Sequence, residues 1–272
     1  IRTDGLAGPI HVFPQTPEVT IGDQWGTAVG GNLFHSFATF DVPAGTTARF
    51  VSANPDIRHV LARVTGNTES AINGQLANSI PGSDFYLINP RGVVFGPGSS
   101  LDMAGSFAVA TADAIVLSDG QRYAAADGLR PPFTTAPPSA FGFSGNPVGA
   151  LRVEGPGTAL EVPPGQSLSL VAGADSPSAP ALSLEPGVAL TAFQGSLTLA
   201  SRAAGDFPLN TSPPPPLPAD GTLQLRNATA RTSPLKPAPG LPIDHDPKLP
   251  SGRLVIRAGR RSEEHTSELQ SR

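Results

Sequence analysis

Seven short apolar pairs, each with a single residue between its members, recur through the second half of the chain. They are Leu151/Val153, Leu160/Val162, Leu168/Leu170, Leu182/Leu184, Leu197/Leu199, Leu223/Leu225 and Leu254/Ile256. Side chains alternate across a strand, so each pair puts two apolar residues on one face and leaves small or polar neighbours on the other. A strand this narrow buries little alone. Recurring two-residue steps separated by Gly, Pro, Asp and Ser turns are what a parallel β-helix needs, because each coil buries its inward pair against the coils above and below. The pairs start 9, 8, 14, 15, 26 and 31 residues apart. The widest gaps coincide with FPLNTSPPPPLPAD (207–220) and PLKPAPGLPIDHDPKLP (234–250), which read as proline-rich loops thrown out of the coil. Most pairs lack the Asn-Gly or Asp-Gly links that a hairpin-built sandwich would use.

The first half is organised around residues 84–107, DFYLINPRGVVFGPGSSLDMAGSF. Its apolar runs 85–88 and 93–95 are rich in β-branched and aromatic residues and too short for helices, so they read as strands. Between them Asn89, Pro90, Arg91 and Gly92 supply a complete turn. Pro90 presets φ, Asn89 can bond its own backbone two residues on, and Gly92 accepts positive φ. Upstream, Leu33, Phe34, Phe37, Phe40 and Val42 predict deep burial. Runs 108–110 and 115–117 follow, then the proline-rich loop PPFTTAPP (131–138).

Residues 1–29 hold short β-type pieces at 10–13 and 19–21 and end near Trp25, the only tryptophan. A stack of strands has an open first layer, so this segment reads as an N-terminal cap, with Trp25 either part of that cover or an ordinary core residue. His35 has no carboxylate neighbour in sequence and reads as a packed histidine rather than a catalytic one.

Composition excludes several classes. The formal net charge is −4 with 15% charged residues, which argues against nucleic acid or an anionic membrane as partner. There is no cysteine, so disulfides and thiolate metal sites are ruled out. No apolar run is long enough to span a membrane as a helix, and the stretch that begins at Ile1 does not itself have the charged and apolar regions of a signal peptide.

Enzyme signatures are missing: no His-Glu-x-x-His, no phosphate-binding loop ending in Lys and no Gly-x-Ser-x-Gly. Asp244, His245 and Asp246 are ligand-like but sit in a proline-rich loop without further histidines, so no metal site and no cofactor are expected. The enzymatic alternative is a β-helix polysaccharide lyase or glycoside hydrolase, for which Asp102, Asp113, Asp119 and Asp127 with Arg122 would be the candidates. Each aspartate also has a plain role beside a turn. A structural stalk is a third class that composition leaves open.

LINPRGVVFGPGSSLDMAGSF resembles the segment around the Asn-Pro-Asn-Gly-Ile motif in the secretion domain of filamentous haemagglutinin-like exoproteins of bacterial two-partner secretion. GGNLFHSFATFDVPAG (30–45), ARVTGNTESAINGQL (62–76) and FGFSGNPVGALRVEGPGTALEVPPGQSLSLVAG (141–173) resemble further segments in the same order. Arg91 and Val93 stand where the motif has Asn and Ile, and the family's Asn-Pro-Asn-Leu motif has no counterpart. The resemblance implies an all-β, right-handed parallel β-helix with an N-terminal cap and small antiparallel additions. It makes 57–64 strand despite the helical spacing of Ile57, Val60, Leu61 and Val64. It implies a non-enzymatic secretion domain over residues 1–200, continuing coils over 201–260, and a signal peptide upstream of a start like IRTDGLAG.

The implied partner is an outer-membrane two-partner transporter, engaged through its periplasmic domains on the way to the cell surface, with host or neighbouring cells met by downstream regions. The residues implied in recognition or turn building are Asn89, Pro90, Arg91, Gly92 and Val93, with Gly31, Asn32, Leu33 and Phe34. The tail RSEEHTSELQSR (261–272) resembles the translation of a sequencing-library adapter. It is set aside from the fold, Glu263, Glu264 and His265 are not read as a site, and the natural chain is expected to continue past about Arg260.

Overall fold

The apolar pairs stack. In the computed structural model, which describes residues 1–125, 131–146, 148–173, 180–209, Thr232 and the backbone of five later strands, the chain winds as a parallel β-helix with three faces. The first face carries Asn32–Thr39, His59–Val64, Asp84–Ile88, Phe107–Ala110, Leu168–Ala172, Ser196–Ser201 and Arg253–Arg257. The second carries Ser70–Ile72, Val93–Phe95, Leu151–Val153, Leu182–Leu184, Thr222–Arg226 and Arg260–Glu264. The third carries Glu18–Gly22, Thr47–Val51, Gln75–Asn78, Ser100–Met103, Ala159–Val162, Ala189–Ala192, Thr229–Arg231 and Glu268–Gln270.

Register makes the inward columns continuous. On the first face Leu33, Val60, Phe85, Phe107, Leu168 and Leu197 lie one above another, and so do His35, Ala62, Leu87, Val109, Leu170 and Leu199. On the second, Ile72, Phe95, Val153 and Leu184 align. Phenylalanine dominates the early coils: Phe50 and Phe85 pack edge to face at 4.7 Å, and Phe37 and Phe40 lie tilted to one another at 4.9 Å. Each such pair adds about 0.5–1.5 kcal/mol beyond its buried area. Pairs 9 and 8 residues apart are successive faces of one coil. The step from Leu182 to Leu197 skips the third-face pair Leu190 and Ala192, both buried, which the sequence pattern did not single out.

On the first face the residues inside the pairs, Ser169 and Thr198, are small or polar as expected, yet most of the outward side is enclosed. Its outward side chains, among them Phe34, Leu61, Tyr86, Ile88, Ala108, Ala110 and Val171, form a second core. That core is closed by a four-stranded antiparallel sheet of Arg122–Ala124, Ala114–Leu117, Pro138–Ser144 and Ala204–Pro208. This sheet contributes Ile115, Leu117, Tyr123, Phe141, Phe143 and Phe207. Part of the segment 207–220, read as loop, is thus the end of a covering strand, with Phe207 opposite Phe141.

The N-terminus caps the stack. Arg2–Thr3 pairs antiparallel with Asn32–Thr39, Thr27–Val29 forms a hairpin with the same strand, and Glu18–Gly22 opens the third face. Trp25 packs against the end of the core, stacked on His11 with ring centroids 3.8 Å apart. At the other end, Arg260–Glu264 and Glu268–Gln270 carry strand backbone paired with Thr222–Arg226 and Thr229–Arg231, although 261–272 was set aside from the fold. An open ladder edge supplies backbone partners to any extended segment, whatever its side chains.

Candidate functional site

The turn at residues 89–92 joins the first face to the second. Gly92 N–H donates to the Asn89 carbonyl at 3.1 Å, and Arg91 N–H donates to Asn89 Oδ1 at 2.9 Å. Asn89 is fully buried, and its Nδ2 donates to the Thr68 carbonyl at 3.1 Å and to Ser70 Oγ at 3.0 Å in the coil below. In the coil above, Gly149 N–H donates to the Pro90 carbonyl at 2.7 Å. One asparagine therefore closes its own turn and ties it to a neighbouring coil. Gly92 has φ +117°, and a Cβ there would lie 3.0 Å from the Ala150 carbonyl. Glycine is required twice over, by backbone conformation and by space.

The second implied group fixes the start of the first face. The Gly31 carbonyl accepts from Arg58 N–H at 2.7 Å and His59 N–H at 3.0 Å. Buried Asn32 donates through Nδ2 to the carbonyls of Thr134 at 2.9 Å and Ala136 at 2.7 Å, fastening the proline-rich loop to the first coil. Leu33 points into the helix core, while Phe34 points outward against Tyr123 at 5.0 Å and Phe133 at 5.2 Å.

The structure does not bring the two groups together. Asn32 aligns with His59 and then Asp84, whereas Asn89 lies five residues beyond Asp84. At about 3.3 Å per residue and about 4.8 Å per coil, the two asparagines are roughly 20 Å apart. Of the nine residues only Arg91 is exposed, with Pro90 and Gly31 half-buried. In the folded domain these residues build turns and columns and present no common surface.

A buried polar cluster escaped the sequence reading. Arg63, 1% exposed, donates through Nε to Ser36 Oγ at 2.8 Å and through an Nη to the Ala124 carbonyl, with its guanidinium over the Tyr123 ring. Ser36 Oγ and Thr65 Oγ1 donate to Asp4 Oδ2 at 2.6 and 2.7 Å, and Tyr123 OH donates to the His35 carbonyl at 2.8 Å. Burial pushes the Tyr123 phenol upward. The cluster joins the cap, two coils and the covering sheet. Its available signal was an arginine inside the apolar run VLARV.

His35 is packed, in accord with the sequence reading: it is fully buried between Phe37 and Phe50, and neither ring nitrogen has a hydrogen-bond partner. Burial lowers its pKa to about 4, against the pull of the Trp25 backbone and the Asp23 charge.

The carboxylates needed by a lyase are spread out. Asp102 pairs with Arg49 at 3.0 Å on the third face, and Asp113 accepts from Ser144 N–H and Oγ at 2.7 Å. Asp119 caps a turn by accepting from Gln121 N–H at 3.0 Å, and Arg122 pairs with Asp206 at 2.7 Å. Asp127 and the triplet Asp244, His245 and Asp246 lie outside the described residues. Among the described residues no three His, Asp or Glu side chains gather to hold a metal ion. A recess by Tyr86, Phe107, Ser169 and Leu209 measures about 20 Å³, room for little more than a water. No helix among the described residues is long and apolar enough to cross a membrane.

Comparison with known proteins fits this arrangement. No curated protein matches the chain in sequence. Solved structures that match include the crystal structure of the HMW1 secretion domain from Haemophilus influenzae, with 14% identity and a TM-score of 0.54. That match covers 98% of this chain and 64% of that chain, so the present chain spans a little under two thirds of its length. At this identity the likeness is one of fold. The family model of the TPS secretion domain matches residues 7–216, from the cap through the covering sheet. That family is not a catalytic one, and the chain belongs to it: it is an N-terminal secretion domain of the two-partner secretion exoproteins.

Proposed function

We propose that this domain is the export address of a large extracellular exoprotein, read in the periplasm by a cognate outer-membrane transporter and folded only on the far side. The observation that carries the reading is the family match over residues 7–216. The fold supports it physically. Nearly every backbone group of the coil is committed to its neighbours once folded, whereas an unfolded chain offers extended segments that can add as strands to an open edge on the transporter. Asn89, Pro90, Arg91, Gly92 and Val93, with Gly31, Asn32, Leu33 and Phe34, are then accessible in transit and buried or committed to structure afterwards. Closing coil upon coil outside the cell makes the passage one-way. The domain itself catalyses nothing, and contacts with host or neighbouring cells belong to other parts of the exoprotein.

The test is binding of the purified domain, unfolded and folded, to the periplasmic domains of its cognate transporter. Tighter binding of the unfolded form is expected. Equal binding of the two forms would remove strand addition by the segments that the folded coil buries, and no binding of either would overturn the transporter reading. Cleavage of acidic polysaccharides that is abolished by a single Asp replacement would overturn the non-catalytic reading.

A further inference from the structure

The large hydrophobic side chains left exposed among the described residues are Ile10, 63% exposed, and Val12, 66% exposed. Both belong to one extended segment, residues 10–13, bracketed by Pro9 and Pro14. Its side chains alternate: His11 and Phe13 turn inward to Trp25, with centroids at 3.8 and 6.0 Å, while Ile10 and Val12 face out. One backbone edge is occupied, since Thr3 N–H donates to the His11 carbonyl at 2.9 Å and Phe13 N–H to the Ile1 carbonyl at 3.1 Å. The N–H and C=O groups of Ile10 and Val12 point to the other edge. They have no hydrogen-bond partner among the described residues.

We propose that this free edge of the cap is the point at which the cognate transporter holds the chain, adding an edge strand of its periplasmic domains against residues 10–13 with Ile10 and Val12 as apolar anchors. The inference rests on the secretion-domain reading above. Size argues for this occupant over a second copy of the chain. Four residues span about 14 Å, and prolines at both ends prevent the ladder from lengthening. Such a contact falls far short of the roughly 1,200 Å² that a stable pairing of copies requires, and suits a partner that must let go. The same prolines keep the segment extended before folding, because each fixes its own φ and disfavours helix in the residue before it. A strand added here competes with no native hydrogen bond. The chain can therefore stay held while the coils behind it close.

The experiment compares the full chain with an Ile10→Asp/Val12→Asp variant and an Ile10→Ser/Val12→Ser variant. Each is assayed for thermal midpoint, for affinity of the folded and the unfolded form to the transporter's periplasmic domains, and for export. Both variants should keep the wild-type midpoint, bind at least about tenfold more weakly and be exported less, with the charged variant worse. Wild-type affinity in both variants would overturn the inference while leaving the secretion reading intact, whereas failure of the wild-type chain to bind would overturn that reading itself. A lowered midpoint in both variants would make the pair structural. A concentration-dependent dimer lost on substitution would assign the edge to a second copy. Either result overturns the proposal.

Discussion

The guanidinium carbon of Arg63 lies 4.7 Å from the centroid of the Tyr123 ring, with both side chains fully enclosed between a coil of the helix and the sheet that covers it. Among the described side chains, the outward column in which Arg63 stands is otherwise Ser36, Ile88, Ala110, Val171 and Ala200. A cation is tolerated there because a ring face, the Ser36 hydroxyl and the Ala124 carbonyl replace its water. The pair locks a local excursion of the chain onto coils formed much earlier in the sequence.

Arg63→Ala is expected to cost about 3–5 kcal/mol, because it opens a cavity and strips partners from buried Ser36 and Ala124. Tyr123→Phe keeps the ring under the guanidinium and loses the hydrogen bond to the His35 carbonyl, so it should cost only about 1–2 kcal/mol. Urea unfolding of the two variants checks the ranking. Equal, small losses would mean that the cluster does not couple the sheet to the coil.

Pro90→Ala combined with Gly92→Val should lower the thermal midpoint by several degrees. The turn would lose its preset φ, and a side chain would be forced into the left-handed region against Ala150. Asn89→Ala should cost about 2–3 kcal/mol by leaving the Thr68 carbonyl, the Ser70 hydroxyl and the Arg91 amide without their Asn89 partner. Unchanged melting of the double variant would show that this turn does not organise the coils around it.

Stability should fall with acid through His35. Its pKa is about 4 in the folded chain and about 6.5 when exposed, so between those values the unfolded chain binds more protons. The stabilisation is complete above about pH 6.5 and is lost progressively as pH falls toward 4, to a limit of roughly 3 kcal/mol. Burial also lowers the pKa of His59, against Asp84 and with Arg58, which adds loss in the same direction. In His35→Leu the dependence of urea midpoints on pH over this window should flatten. An unaltered slope would place the titration elsewhere.

Deleting residues 261–272 should leave stability within about 0.5 kcal/mol. The segment contains one leucine and no other large apolar residue, so its backbone pairing brings almost no core burial with it. A drop of several degrees in the midpoint would show that the segment is an integral part of the coil.

The resemblance carried by the Asn-Pro-Arg-Gly stretch and its neighbours identified the family, and the five apolar pairs from Leu151/Val153 to Leu197/Leu199 form inward columns. Both signals are local. The buried roles of Asn32 and Arg63 were not legible, because their partners Thr134, Ala136, Tyr123 and Ala124 are brought to them only by a long excursion of the chain.

What the sequence by itself determined was the coil: two-residue apolar steps, turn residues and the prolines that interrupt them, all of which act within a few residues of one another. Only the tertiary structure decided that one face of that coil is buried on both sides. A period of two reports which side chains share a face, but not what lies above that face. Phe34, Leu61 and Arg63 are enclosed because strands formed 50 or more residues later, at Arg122–Ala124 and Pro138–Ser144, fold back over them. Their burial is a property of that docking, and no local pattern encodes it.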